Sequence, residues 1–310
     1  MSSLRARLYR SGALASTRLP VPVIVVGNIF IGGTGKTPLT IWLAEALRAA
    51  GFTPGIISRG HGGKGALPRE VTLDAQASDV GDEPLLIARR TGCPVMVGRA
   101  RADAGGALLA AHPDVDVLIT DDGLQHYALA RDIELVLFDG RGVGNGWLLP
   151  AGPLREPPSR RRDFTIVNAP HLSPELVAAV GPRPFQMQLA GTYAERLSAP
   201  SERLELASLH GQRIVAAAGI GNPGRFFALL SAAGLTFTAL PLPDHHDFQD
   251  DPFASVNADI ILITEKDAVK CGQIENLKHD PRLWVVPVTA HIDAALAEQI
   301  VEKCRGCSPA

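Results

Sequence analysis

The sequence predicts an α/β protein: a doubly wound, mainly parallel sheet domain carrying a phosphate-binding loop (P-loop), and a second, smaller α/β domain joined to it by a hinge. Three features support this. Short aliphatic runs, apolar throughout rather than alternating, are separated by helical patterns, as strands covered on both faces require. The first of these runs leads straight into a glycine-rich turn and a helix. Between Ala169 and Arg203 prolines accumulate and periodicity weakens before strand and helix patterns resume, which places the domains at 1–180 and 181–310.

Val21 to Val26 is the first strand, ending at Gly27, and Pro38 to Ala50 is a helix closed by Gly51. Phe52 to Ser58, Pro94 to Val97, Val115 to Thr120, Glu134 to Phe138 and Phe164 to Asn168 read as further strands, with helices over Glu83 to Thr91 and Arg101 to His112. In the second domain Arg213 to Ala218, Thr236 to Leu240, Ile260 to Thr264 and Trp284 to Pro287 are strand candidates, and Pro223 to Ala233 is helical.

Composition excludes several classes. With 310 residues, 46% hydrophobic and 20% charged, the chain is neither disordered nor fibrous. A net charge of -2, from 30 basic and 32 acidic residues, leaves no global field to attract nucleic acid. Four cysteines are too few for a disulfide framework and favour a reducing compartment. Cys304 and Cys307 form a C-x-x-C near the end of the chain, without a second ligand pair. No run is long and apolar enough to span a bilayer. Near the N-terminus Arg5, Arg7, Arg10 and Arg18 interleave with Leu4, Leu8, Leu14 and Leu19, a pattern that suits either a solvated leader helix or one lying on a membrane surface.

Chemistry concentrates where the first strand meets its helix. In Gly32-Gly33-Thr34-Gly35-Lys36-Thr37, glycines turn backbone N–H groups toward phosphate oxygens, Lys36 spans the outer phosphates and the Thr37 hydroxyl ligates Mg²⁺. Phe30 stands where the usual pattern has its first glycine. The spacing resembles the variant loops of ParA and MinD, with Ile31 replacing their extra lysine. Asp121 and Asp122, ending the Val115 strand, are the carboxylates a nucleotide-bound Mg²⁺ wants, or alternatively a pair capping a turn. Arg59 follows the second strand, placed to meet anionic oxygen, and Arg99 and Arg101 follow the Pro94 strand. Asp82 opens a helix and reads locally as its cap. Arg160, Arg161 and Arg162 either clamp a phosphorylated substrate or are solvated. Asp244-His245-His246 is more polar than a turn needs, and Thr264-Glu265-Lys266-Asp267 weakly resembles the base-reading loop of G proteins.

Taken in order, Pro22 to Asn28, Gly32 to Pro38, Ser58-Arg59-Gly60, Gly81-Asp82-Glu83-Pro84, Asp121 to His126, Leu149 to Glu156, Asp244-His245-His246 and Thr264 to Lys270 resemble the tetraacyldisaccharide 4'-kinase family of Gram-negative bacteria. The resemblance implies ATP- and Mg²⁺-dependent phosphorylation of the 4'-hydroxyl of a lipid disaccharide 1-phosphate, giving lipid IVA. It implies action at the cytoplasmic face of the inner membrane, here as a peripheral protein, with no nucleic-acid or obligate protein partner. It places Gly32, Gly33, Thr34, Gly35, Lys36 and Thr37 on the nucleotide, and Thr37, Asp121 and Asp122 at the metal. Asp82 then becomes the base at the acceptor hydroxyl, assisted by His245 with His246 in reserve, while Arg59, Arg101, Arg155 and Glu156 meet the substrate. His61 departs from the tyrosine more usual after Arg-Gly. Members also usually begin with a longer hydrophobic segment than the broken one here, so attachment is expected through Arg5, Arg7, Arg10 and the leucines between them. The competing reading is a ParA-like or metallochaperone-type NTPase switch, against which Ile31, Asp82 and the histidine cluster argue.

Overall fold

The computed structural model describes residues 8–9, 11–60 and 67–307. Arg5, Arg7, Arg10, Leu4 and His61 lie outside them. The chain divides into two compact units, one running to Gln188 and resuming at Ala290, the other Leu189–Thr289.

In the first unit Val23–Gly27 (β1) leads through the glycine-rich turn into Lys36–Ala49 (α1), then Pro54–Ser58 (β2), Arg69–Glu70 (β3), Ala77–Val80 (α2), Asp82–Thr91 (α3), Val95–Val97 (β4), Arg101–Ala111 (α4), Val117–Thr120 (β5), Ile133–Asp139 (β6), Phe164–Asn168 (β7), Pro174–Val180 (α5) and Phe185–Ala190 (β8). A nine-stranded sheet results, in the order β15-β8-β7-β6-β1-β5-β2-β4-β3, where β15 is Thr289–Ile292. The pairs of β1 with β5 and β6, of β2 with β4 and β5, and of β7 with β6 and β8 are parallel, whereas β3 runs antiparallel to β4. All five residues of β1 and all four of β5 are buried, which is why these segments carry uninterrupted apolar runs. Helix α1 buries Leu39, Leu43 and Leu47, one stripe at helical spacing. After β1 the chain passes to β2 on one side and later to β6 on the other, so the crevice for a ligand opens at the carboxyl end of β1.

In the second unit Tyr193–Arg196 (β9) and Ala199–Glu205 (β10) form an antiparallel hairpin. Ile214–Ala218 (β11), Pro223–Ala232 (α6), Thr238–Pro241 (β12), Ile260–Thr264 (β13), Glu265–Cys271 (α7), Glu275–Lys278 (α8) and Leu283–Val286 (β14) follow. The six-stranded sheet runs β10-β9-β14-β13-β11-β12, and apolar clusters around Phe226 and Leu230 and around Phe248 and Phe253 cover it.

The C-terminal segment differs from the expected 181–310 domain. β15 joins the large sheet beside β8, and the final helix Ala294–Gly306 (α9) packs against α1, burying Leu296, Ile300 and Cys304 and pairing Lys303 with Asp163 at 2.8 Å. The region read as a proline-rich linker contains the extended piece expected at Pro184 to Leu189, as β8, and beyond that reading the helix α5 and the strand β9. Cys304 is buried and its thiol is pushed up to about 12 by that burial, which removes it from the reactive thiolates. At the N-terminus Leu19 is core and so is not part of a membrane-facing surface, Arg18 is exposed and bonds Asp132 at 2.9 Å, and Leu8 and Leu14 are exposed.

Candidate active site

The phosphate loop is held from beneath by two asparagines. Asn28, just past β1, donates from Nδ2 to Gly32 O (3.2 Å) and Thr34 Oγ1 (3.0 Å), and Asn168, ending β7, donates to Thr34 O (2.9 Å). Gly35 precedes the helix at φ 102°, and a Cβ there would lie 2.6 Å from Asn168 Nδ2, so only glycine lets the loop close on its support. The Phe30 departure has a structural basis. Its ring is buried under the Arg141 guanidinium (4.2 Å), which is itself locked to Asp139, and its backbone bridges to Leu154. A neighbouring loop thus shapes the turn that a glycine shapes elsewhere.

Lys36 and Thr37 open α1 side by side. Lys36 Nζ lies 3.7 Å from Asp122 Oδ1, and Arg155 Nη1 approaches the same carboxylate at 3.3 Å. Burial alone would raise Asp122, but Lys36 and Arg155 outweigh it and hold the group below the ordinary carboxylate range. Asp121 behaves oppositely. Buried at the end of β5, accepting a hydrogen bond from Thr40 Oγ1 (3.2 Å), it is pushed up to about 7, first by burial and then by the charge of Glu83. Gly123 completes the turn, since a Cβ would sit 2.2 Å from Thr120 Oγ1. Hard oxygen donors from Thr37, Asp121 and Asp122, with more carboxylate than the site can ionise comfortably by itself, suit Mg²⁺.

Arg101, the first residue of α4, is buried and donates from Nη1 to Gly98 O at 2.7 Å, yet its Nε and Nη2 meet no partner among the described residues. Burial lowers it to about 10, which leaves it cationic and under-coordinated beside Asp121 and Asp122. Arg59 is exposed at the end of β2. His126 is pushed down to about 4 by burial and by the charges of Arg101 and Arg59, so it is a neutral imidazole at working pH.

Asp82 is buried at the first position of α3, and its Oδ1 accepts from Glu83 N at 2.9 Å. The capping position itself belongs to Gly81, so the local reading of Asp82 as the N-cap does not hold. Glu156, expected to meet the substrate, and Arg160 and Arg162, expected either to clamp a phosphorylated substrate or to be solvated, make internal contacts. The Glu156 carboxylate is buried and accepts from Gln125 Nε2 (2.9 Å), Tyr127 OH (2.6 Å) and Arg160 Nη1 (2.8 Å), which ties the 149–162 loop to the 121–127 turn. Arg162 bonds Thr165, Pro158 and Val180, and of the three consecutive arginines only Arg161 is exposed. Arg131 donates to Leu124 O (2.9 Å) and His126 O (2.5 Å), fixing the same turn.

In the second unit His245 occupies a left-handed turn at φ 61°, its N–H bonded to Gly219 O at 3.1 Å and its side chain half exposed. His246 turns inward, its Nδ1 accepting from Phe248 N (3.1 Å) and its ring edge-on to Phe248. His245 is therefore the outward-facing member of the pair. The Thr264 to Asp267 stretch is used internally. Thr264 donates to Asp267 Oδ2 at 2.6 Å, and the Asp267 carboxylate accepts from Gly219 N at 3.2 Å, so the carboxylate of this stretch is used internally.

Glu83, Asn168 and His126 join the site without having been singled out from sequence. Glu83 and His126 lay inside quoted motifs, and Asn168 had only its place at a strand end to mark it.

A glycine-rich loop on a helix N-terminus, a lysine, a strand-end carboxylate pair and a buried, under-coordinated arginine define a P-loop phosphotransferase. Family and relatives then specify which one. The family model for "Tetraacyldisaccharide-1-P 4'-kinase" matches residues 1–305, and the chain belongs to that family. It is 65% identical over 321 residues to the tetraacyldisaccharide 4'-kinase of Herminiimonas arsenicoxydans and 63% identical over 318 residues to that of Janthinobacterium sp. (strain Marseille), covering 99% of this chain and 89% of the relative in both cases. Among solved structures it resembles LpxK from Aquifex aeolicus in complex with ATP, with a TM-score of 0.79 and 28% identity over 97% of this chain and 94% of that one. The chain is a kinase of lipid A biosynthesis that phosphorylates the 4'-hydroxyl of tetraacyldisaccharide 1-phosphate, giving lipid IVA. The NTPase-switch reading is not favoured.

Proposed function

We propose that the phosphate loop, Asp121, Asp122, Asp82 and Arg101 carry out this transfer together. The observation that bears most weight is Asp121, a carboxylate buried at a central strand end and pushed up to about 7 by that burial first and by the charge of Glu83 next, a place where a cation would relieve the strain. Gly32 to Gly35 and the start of α1 cradle the phosphates of ATP, and Lys36 follows the charge as it moves onto the leaving oxygens. Thr37 and Asp121 would hold Mg²⁺, with Asp122 beside them between Lys36 and Arg155. Bound there, Mg²⁺ would supply positive charge to the transferring phosphoryl group.

Asp82 takes the proton of the acceptor hydroxyl. It is free of metal duty, and its place at the start of α3 favours the ionised form. His245, the outward-facing histidine of the second unit, is assigned a supporting role in the transfer. Arg101 and Arg59 meet anionic or hydroxyl oxygens of the disaccharide, with neutral His126 beside them. Arg155 works from the Asp122 side, while Glu156 acts by holding the loop that presents Arg155.

The enzyme works on its substrate at the cytoplasmic face of the inner membrane as a peripheral protein. No helix among the described residues is long and apolar enough to cross a bilayer, and the acceptor is itself a lipid. The test is phosphate transfer by variants in matched assays. Asp82→Ala should retain ATP binding and lose transfer, and Arg101→Ala should raise KM for the lipid acceptor while leaving KM for ATP near wild type. An Arg101 variant that changed only KM for ATP would move that residue to the nucleotide.

A further inference from the structure

Beside the phosphate loop the protein exposes apolar side chains it has no internal use for. Trp147 is 65% exposed, Leu149 52%, Leu148 36% and Ile31 42%. Floppiness of the turn does not explain this, because its backbone is closed on itself. Trp147 N bonds Asn145 Oδ1 (3.1 Å), Leu149 N bonds Leu154 O (2.9 Å), Gly152 N bonds Leu148 O (3.1 Å) and Leu154 N bonds Trp147 O (3.2 Å). A Cβ on Gly152 would lie 2.4 Å from Trp147 O, so the turn is drawn tight. With the N–H groups of Trp147, Leu149, Gly152 and Leu154 paired inside the turn, fewer backbone groups lose water when the tip enters an apolar layer.

The position of the turn supplies the occupant. Ile31 N bonds Pro153 O (3.0 Å) and Arg155 N bonds Ile29 O (2.6 Å), stitching the turn to the phosphate loop, and Arg155 reaches Asp122 at 3.3 Å. The apolar tip thus borders the carboxylate side of the site, where the acceptor must approach. That acceptor carries acyl chains on the same sugar rings as the hydroxyl being phosphorylated, and those chains lie in a bilayer. The layer that holds them must come close to this edge of the site.

We propose that Trp147, Leu148 and Leu149, flanked by Ile31, form a wedge that enters the acyl border of the substrate's bilayer and seats the phosphate loop against it. The wedge rests on the reading of this kinase as a peripheral membrane enzyme and names the surface it uses.

The experiment uses the full chain with vesicles of phosphatidylethanolamine and phosphatidylglycerol lacking the lipid acceptor, some prepared with brominated acyl chains. Trp147→Phe supplies the reference, because Trp42 is half-buried and Trp284 buried. The Trp147 contribution to emission should move to the blue on vesicles and be quenched by bromine near the top of the chains. Leu149→Ser should weaken vesicle partition on the order of tenfold and raise KM for vesicle-borne acceptor, with KM for ATP unchanged. Protein that sediments with vesicles while Trp147 stays unshifted and unquenched would overturn the wedge and leave the membrane reading standing. Failure to sediment would overturn both. A blue shift only once the acceptor is added would assign the patch to the substrate's own chains instead of the bilayer.

Discussion

Replacing Asp121 by asparagine should abolish metal-dependent transfer and stabilise the first unit. The carboxyl moves from an ordinary value of 3.8 to about 7 in the folded chain, with burial the largest cause and Glu83 next. Because the folded state holds the proton more tightly, it keeps a proton between about pH 4 and pH 7 that the unfolded chain has lost, so stability falls as pH rises through that window and levels off above it. Roughly three pKa units correspond to about 4 kcal/mol, an upper bound because Glu83 and Asp122 share the repulsion. Asparagine is nearly isosteric, keeps an acceptor for Thr40 Oγ1 and carries no charge to desolvate. Thermal unfolding without nucleotide or Mg²⁺ should show the variant melting several degrees, up to roughly ten, above wild type at pH 8. The gain should shrink toward pH 5 and reverse when Mg²⁺ and ATP stabilise only the wild type. A variant melting at or below wild type at pH 8, or with a gain independent of pH, would refute the view that Asp121 is a strained carboxylate awaiting a cation.

Lys36→Ala should abolish transfer and Thr37→Ala should raise the Mg²⁺ concentration needed for half-maximal rate, both read from initial rates across an Mg²⁺ series. Asp82→Ala should lower kcat on the order of 10²-fold with ATP binding retained, and adding His245→Ala should cost less than the two separate losses combined. Glu156→Gln should lower stability on the order of 1 to 2 kcal/mol by removing one of the two carboxylates, Glu156 and Glu134, that pair with Arg160, measured by chemical denaturation, with a smaller effect on KM for the acceptor than Arg101→Ala has. Asp267→Asn should lower kcat by loosening the Gly219 backbone, whose N–H the carboxylate accepts and whose carbonyl accepts His245 N, read from initial rates with KM for ATP measured alongside.

The parts legible in sequence were those where one physical demand leaves one pattern. Strands buried on both faces must be apolar throughout, so β1, β5, β7 and β13 stood out, and a helix that meets phosphate must begin on glycines and Gly-Lys-Thr. Membership of a unit depends on what an element packs against, which periodicity does not encode. The Leu296, Ile300, Cys304 stripe suits a helix but does not say that α1 lies beneath it, so the last residues were placed in the wrong unit. Motif membership likewise does not tell where a carboxylate points. Glu156 stands next to Arg155 in one motif, yet it faces Gln125, Tyr127 and Arg160 while Arg155 faces Asp122. His245 and His246 are adjacent, and only the left-handed turn at His245 separates the exposed ring from the one packed on Phe248.

The most direct test of the central claim is mass detection of the lipid product after incubating the full chain with tetraacyldisaccharide 1-phosphate, ATP and Mg²⁺. The site assignment predicts one phosphate added to the disaccharide, lost in Lys36→Ala and Asp82→Ala, with ATP consumed in step with product. Rapid ATP hydrolysis with no phosphate on the lipid, unchanged when the acceptor is left out, would contradict it.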